Sequence, residues 1–155
     1  MYARGQRGRP ARLTDDPMSS QPDPLVSFSD VIRFADASWS AIPDAPGVYV
    51  IYDHAEVLYV GMAGRDGAGS LRKRLKDHSS GQVVNMFAQY LFLSRVQFVA
   101  AERVTHPRDA KVACRAYILE RCSLRYRVMP TAVEARALEN SLKRQLKPAL
   151  NAMDE

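Results

Sequence analysis

Tyr49 and Tyr59 stand ten residues apart in mirrored settings, Gly47-Val48-Tyr49 and Tyr59-Val60-Gly61. On one face of a hairpin they would place two phenols side by side. Arg74 and His78 are four residues apart, so a helix carries them on a single face. A guanidinium and an imidazole stacked one turn apart can both contact a phosphate. Glu139 lies one position past Leu138, on the flank of an apolar stripe made by Ala135, Leu138, Leu142 and Leu146. A carboxylate at such a position is part-buried, and burial is costly for an unpaired charge. It needs a cation, either a metal ion or Lys143 one turn on. Taken singly, each residue has a plainer use: core aromatics with wet hydroxyls, a surface arginine, a histidine at a helix end, a Glu–Lys pair.

The elements that must hold these groups are legible in part. Residues 47–61 alternate with period two on either side of the polar turn Asp53-His54-Ala55-Glu56, which is a hairpin pattern. Tyr49 shares a face with Tyr59 only if the turn closes tightly, because a slip of one residue sends them to opposite faces. Gly47 and Gly61 mark bends or close backbone approaches. The glycine-rich stretch 62–69 invites a phosphate-loop reading, which fails. No Gly-Lys-Ser/Thr follows, and Arg72 stands where a GxGxxG pattern needs its last glycine. A flexible connector is the better account. Ser70 then caps a helix over 71–78, with Leu71 and Leu75 facing inward and Arg72, Lys73 and Lys76 making it strongly cationic.

Upstream, Ser27 or Ser29 can cap a short helix over 30–37, and Pro43-Asp44-Ala45-Pro46 makes a rigid entry to the hairpin. Downstream, residues 83–94 read as a helix, and 95–104 as either strand or helix continuation. Residues 109–122 read as a further helix. The alternation over 123–129 predicts a strand with Arg125 and Arg127 on one face. Thr131 and Glu134 form a capping box for the last helix, which Pro148 stops.

The chain has 155 residues, 46% apolar and 25% charged, which suits one globular domain. We place that domain at 25–155, after a flexible basic arm at 1–24 carrying Arg4, Arg7, Arg9 and Arg12. A net charge of +5 favours an anionic partner, most commonly nucleic acid. Two cysteines, Cys114 and Cys122, make neither a disulfide scaffold nor a zinc cluster and are expected as buried thiols. No apolar run reaches membrane-spanning length, and the first residues lack the apolar core of a signal peptide. A reduced, cytoplasmic protein is the expectation.

The order of these residues resembles the GIY-YIG nuclease superfamily, over about 46–151. Gly-Val-Tyr is followed by Tyr-Val-Gly, then an arginine on the next helix, a late helical glutamate, and Asn151 after a proline. The tail LENSLKRQLKPALN looks like the family's closing segment, with its asparagine twelve residues after the glutamate. The resemblance implies a small α/β (α+β) fold, a three-stranded antiparallel sheet flanked by helices. It implies a cleft lined by Tyr49, Tyr59, Arg74, His78 and Glu139, with Gly47, Gly61 and Asn151 bracing it. The implied activity is metal-dependent hydrolysis of DNA phosphodiester bonds. Tyr49 would be the base or orient the water, its phenol assisted by His78 or Tyr59. Arg74 would hold the phosphoryl charge, and Glu139 would anchor Mg²⁺ or another divalent ion. DNA is the implied partner, with Arg72, Lys73, Lys76, Arg125 and Arg127 as further contacts and with neither a membrane nor an organic cofactor. The glycine-rich stretch is longer than in the simplest members, so the choice of Arg74 over Arg72 rests on helix phase and on His78. The competing readings are a non-catalytic nucleic-acid-binding module of the same fold and a protein-interaction domain. A binding module has no chemical need of Glu139.

Overall fold

Four strands make one antiparallel sheet in the computed structural model, which describes residues 22–67, 69–99 and 103–151. They are β1 (Ile32–Arg33), β2 (Gly47–Asp53), β3 (Glu56–Ala63) and β4 (Cys122–Val128), in the spatial order β1-β4-β2-β3. The sheet therefore has one strand more than the three expected. The additional strand replaces most of the helix anticipated over 30–37, of which only a 3₁₀ turn at Phe34–Asp36 forms. The cause is tertiary. The Ser29 N–H donates to the Tyr126 carbonyl (2.8 Å) and its hydroxyl accepts from the Tyr126 N–H (3.1 Å). Ile32 and Arg33 then pair with Leu124 and Ser123, so the segment is drawn along β4 before it can coil.

The hairpin of β2 and β3 sets the register of the site. Tyr49 lies opposite Gly61 and Ile51 opposite Tyr59. A bulge follows Ile51, where Tyr52 pairs with Val57, so Leu58 is the extra residue and turns into the core. Since Tyr49 and Ile51 share a face, Tyr49 and Tyr59 also share one, as diagonal neighbours on adjacent strands. At the turn, His54 adopts φ 51°, the left-handed geometry a tight hairpin requires. At the same end Asp53 is buried, accepting from the Tyr117 hydroxyl and from Arg121 Nε (3.2 Å).

The two sheet faces bury different sets. Tyr49, Ile51 and Leu124 face α1 (Leu71–Ser79), α2 (Met86–Leu91) and α3 (Pro107–Arg121), packing with Leu71, Leu75, Phe87, Leu91 and Ile118. Val48, Val50, Val60 and Met62 face α4 (Ala132–Leu146), with Ala135 and Leu142 and with Leu25 and Phe28 from the entry segment. The expected 83–94 helix is shorter than its apolar run. After Leu91 the chain loosens to a π-helical stretch, Phe92–Val96, and a last α-turn, Gln97–Val99. Ser70 caps α1 by accepting from the Lys73 N–H (3.3 Å), and Thr131 caps α4 by accepting from the Glu134 N–H (3.2 Å). Cys114 and Cys122 are both buried free thiols. Among the described residues no helix is long and apolar enough to cross a membrane. The basic arm read from the sequence lies, up to residue 21, outside the described residues.

Candidate active site

Residues from four elements open onto one cleft of about 740 Å³: Tyr49 from β2, Tyr59 from β3, Arg74 and His78 from α1, and Glu139 from α4. The position of the cleft follows from the strand order. β3 is an edge strand, and the chain after α4 covers part of that edge. The Ala149 N–H donates to the Val57 carbonyl (3.1 Å) and the Leu150 N–H to the Leu58 carbonyl (2.8 Å). Asn151 then takes both backbone groups of Val60, accepting from its N–H (2.6 Å) and donating to its carbonyl (3.1 Å). One residue further along β3 is Gly61, against which the Tyr49 ring lies. Asn151 thus serves the site by fixing the strand that frames it.

Both site glycines are where they are because side chains would collide. A Cβ on Gly61 would fall 2.4 Å from the Tyr49 hydroxyl oxygen, and one on Gly47 would fall 2.3 Å from the Arg127 carbonyl and 2.5 Å from Leu71. We expect Gly61→Ala to push the Tyr49 ring out of its seat. Overpacking of this kind costs about 1–3 kcal/mol, which thermal or urea denaturation would read as a lowered midpoint. An unchanged midpoint would mean that Tyr49 has free room to move.

Four rings form the inner wall. Tyr49 lies 6.4 Å from Tyr59 between centroids, with ring planes 29° apart, and 5.4 Å from His78. Phe87 contacts both Tyr59 (5.4 Å) and His78 (5.1 Å). Phe87 was not singled out from the sequence, where it belongs to an undifferentiated apolar run. It closes the cleft floor behind the polar tips. The Tyr49 hydroxyl and His78 Nε2 are hydrogen-bonded at 2.7 Å, both inside the protein.

Burial decides the charge of these two groups. It is the main cause holding the Tyr49 phenol well above its usual pKa, seconded by the neighbouring Tyr59; Arg74 opposes it without prevailing. Burial first and Arg74 second lower His78 to about 3, so the imidazole is neutral at physiological pH. The help expected for Tyr49 from His78 or Tyr59 is a nearby cation or a hydrogen bond, and His78 provides the hydrogen bond. Neither supplies positive charge, and Tyr49 rests as a protonated hydroxyl whose partner is a neutral ring nitrogen. His78 Nδ1 is buried without a hydrogen bond of good geometry. The Asn85 side chain comes near enough to pull the His78 pKa slightly upward, without satisfying Nδ1.

Glu139 is buried, at 4% exposure, and both of its oxygens are neutralised. Oε2 meets Arg136 Nη1 and Oε1 meets Lys143 Nζ, each at 3.2 Å. Lys143 lines the cleft alongside Glu139. Its role as a partner was one of the two options read from spacing; Arg136, one turn before Glu139, was overlooked although its i,i+3 spacing carried the signal. Among the described residues there is no group of three His, Cys, Asp or Glu able to cage a metal. One hard carboxylate still fits Mg²⁺, which keeps several waters and shares its shell with substrate phosphates.

The remaining basic residues divide. Arg74 is exposed at the cleft and, among the described residues, has no ion-pair partner. Lys73 also lines the cleft and pairs with Asp77 at 2.9 Å, while Lys76 is exposed outside it. Arg72 is turned the other way, donating to the carbonyls of Ile42 (2.8 Å) and Ser40 (3.4 Å). Arg125 donates to the carbonyls of Ser29 (2.8 Å) and Leu25 (2.9 Å). Arg125 and Arg127 pair with Val50 and Val48, which puts them on the α4 face of the sheet, away from Tyr49. Arg72 and Arg125 therefore hold the fold together at the places where nucleic-acid contacts were expected.

The cleft combines a free guanidinium, a neutral hydroxyl–imidazole pair and a cation-covered carboxylate. Such a set can seat a tetrahedral anion and orient a water beside it. No model of a known protein family matches the chain, and no curated protein sequence matches it.

Proposed function

We propose that the protein is a GIY-YIG-type endonuclease that hydrolyses phosphodiester bonds in DNA with the help of a divalent ion, Mg²⁺ by preference. The observation that carries this reading is the convergence of Tyr49, Tyr59, Arg74, His78 and Glu139 on one cleft, from four separate elements. Five plain explanations for five residues give no reason for that meeting. The excess of positive charge supports an anionic substrate.

In this reading Arg74 seats the scissile phosphate. Its planar fork matches two phosphate oxygens and holds the charge that grows on them. The Tyr49 hydroxyl positions the attacking water. The water adds to phosphorus as the bond to the 3′ oxygen breaks; the water's proton passes to the Tyr49 hydroxyl, whose own proton passes to His78 Nε2, and the departing oxygen takes up a proton from solvent. Burial disfavours the imidazolium, so the proton rests on His78 only in transit, across the 2.7 Å bond, before it returns to solvent. Tyr59 and Phe87 keep the rings in place and exclude bulk water behind them. Glu139 would hold the divalent ion, which supplies Lewis acidity at the phosphate and steadies the leaving oxygen.

Supercoiled plasmid incubated with the protein and Mg²⁺ is expected to be nicked to open circles, and a chelator should stop the reaction. Plasmid that is bound in a gel-shift assay but stays supercoiled at every Mg²⁺ concentration would favour the binding-module reading instead.

A further inference from the structure

Each oxygen of Glu139 already faces a cation. A buried carboxylate flanked by a guanidinium on one oxygen and an ammonium on the other is already neutralised, so an incoming metal ion meets two positive charges. The two partners are not equivalent. Lys143 lines the cleft, its side chain 28% exposed; Arg136, at 42%, is not among the cleft-lining residues. Lys143 therefore shares the space a phosphate would enter, and Arg136 does not.

We propose that Lys143 keeps Glu139 closed to metal until a phosphate group enters the cleft, when its ammonium turns from the carboxylate to the phosphate. Arg136 stays in place and holds the carboxylate's orientation. The inference rests on the nuclease reading and deepens it, since it sets an order: substrate first, metal second. The physical basis is charge exchange. With the cleft empty, Lys143 finds its counter-ion in Glu139. An arriving phosphate offers a second anion, and a flexible four-carbon stem lets the ammonium reach it. Each move then favours the other, because a carboxylate released from Lys143 attracts the ion and the ion completes its shell from the phosphate. Coupling of this kind is reciprocal, so metal should tighten substrate binding by the same factor that substrate tightens metal binding. Without substrate, the site would then carry no metal able to activate stray water.

The test uses Mn²⁺ as the probe and reads paramagnetic broadening of backbone amide signals around Glu139, which needs no turnover. Without DNA, K143M should bind Mn²⁺ at least tenfold more tightly than wild type, because methionine keeps most of the stem and removes the charge. K143Q should do the same, which guards against a packing defect in either variant. On addition of a short phosphorothioate DNA duplex, wild type should gain a similar factor and K143M almost none. R136M should retain the gain on DNA addition, and E139Q should show no local broadening in any arm. Equal Mn²⁺ affinity for wild type, K143M and K143Q in the absence of DNA overturns the proposal. So does a wild type that binds the duplex without gaining Mn²⁺ affinity. Failure of the duplex to bind at all strikes the nuclease reading instead, and the arms without DNA still decide whether Lys143 closes Glu139.

Discussion

Arg74→Ala is expected to reduce plasmid nicking by 10²–10³-fold while leaving the protein folded. Removing a single preorganised donor from a developing oxyanion costs a catalyst about 3–4 kcal/mol, and Arg74 is a cleft-lining guanidinium with no ion pair among the described residues, on the same helix face as His78. Its neighbour two positions earlier is the natural control. Arg72 donates to two loop carbonyls ahead of the hairpin, so Arg72→Ala should lower the melting midpoint and leave nicking by the folded fraction close to wild type. The pair of variants separates chemistry from architecture on one helix. Arg74→Lys should recover only part of the rate, because an ammonium cannot span two phosphate oxygens as a fork does. Circular dichroism should match between wild type and Arg74→Ala. Retention of most activity by Arg74→Ala, with Arg72→Ala folded and inactive, would move the phosphate seat to the wrong face of α1 and sink the proposed mechanism.

The contrast between Arg72 and Arg74 also shows what the sequence could carry. Helix phase chose correctly which of the two faces the tyrosines, because Leu71 and Leu75 fix the inward direction and Arg74 and His78 travel together. Capping by Ser70 and Thr131 was legible for the same reason: the interaction spans only three residues. The hairpin was legible as an element, and its register was not. Whether Tyr49 and Tyr59 share a face depended on a bulge at Leu58, a compromise between turn geometry and core packing that no local pattern records. The fourth strand was hidden because it is made by Ser29 and β4 together, some hundred residues apart. Arg125 and Arg127 were correctly placed on one face of a strand, yet the sequence does not say which sheet face a helix will cover. With α4 on their side, they stand away from the cleft. The ionisation states were the least accessible part. A tyrosine next to a histidine and an arginine looks poised to ionise; only the extent of burial shows that it stays neutral.

That neutrality sets the second large effect. Tyr49→Phe preserves the ring stack and removes one oxygen, so nicking should fall by about 10²–10⁴-fold, the usual range for losing a positioned proton-transfer group. It should also cost about 1–3 kcal/mol, since His78 Nε2 loses its buried partner. The acid behaviour of wild type follows from the same pair. The pKa of His78 is about 3 in the folded chain against the ordinary 6.5, so below pH 6.5 the unfolded chain takes up a proton that the folded chain refuses. Stability is therefore complete above 6.5 and is lost progressively as the pH falls toward 3. Between pH 6.5 and 4.5 this one group removes about 2 kcal/mol. His78→Gln, which can still meet the Tyr49 hydroxyl, should lack that share of the loss, and urea titrations of both proteins at the two pH values measure the difference. The rate profile gives an independent reading: a neutral His78 produces no inflection near pH 6.5 in Mg²⁺-dependent nicking. An inflection there that disappears in His78→Gln would mean that the resting imidazole already charges near neutral pH, and that Tyr49 is driven as a base by a cation beside it.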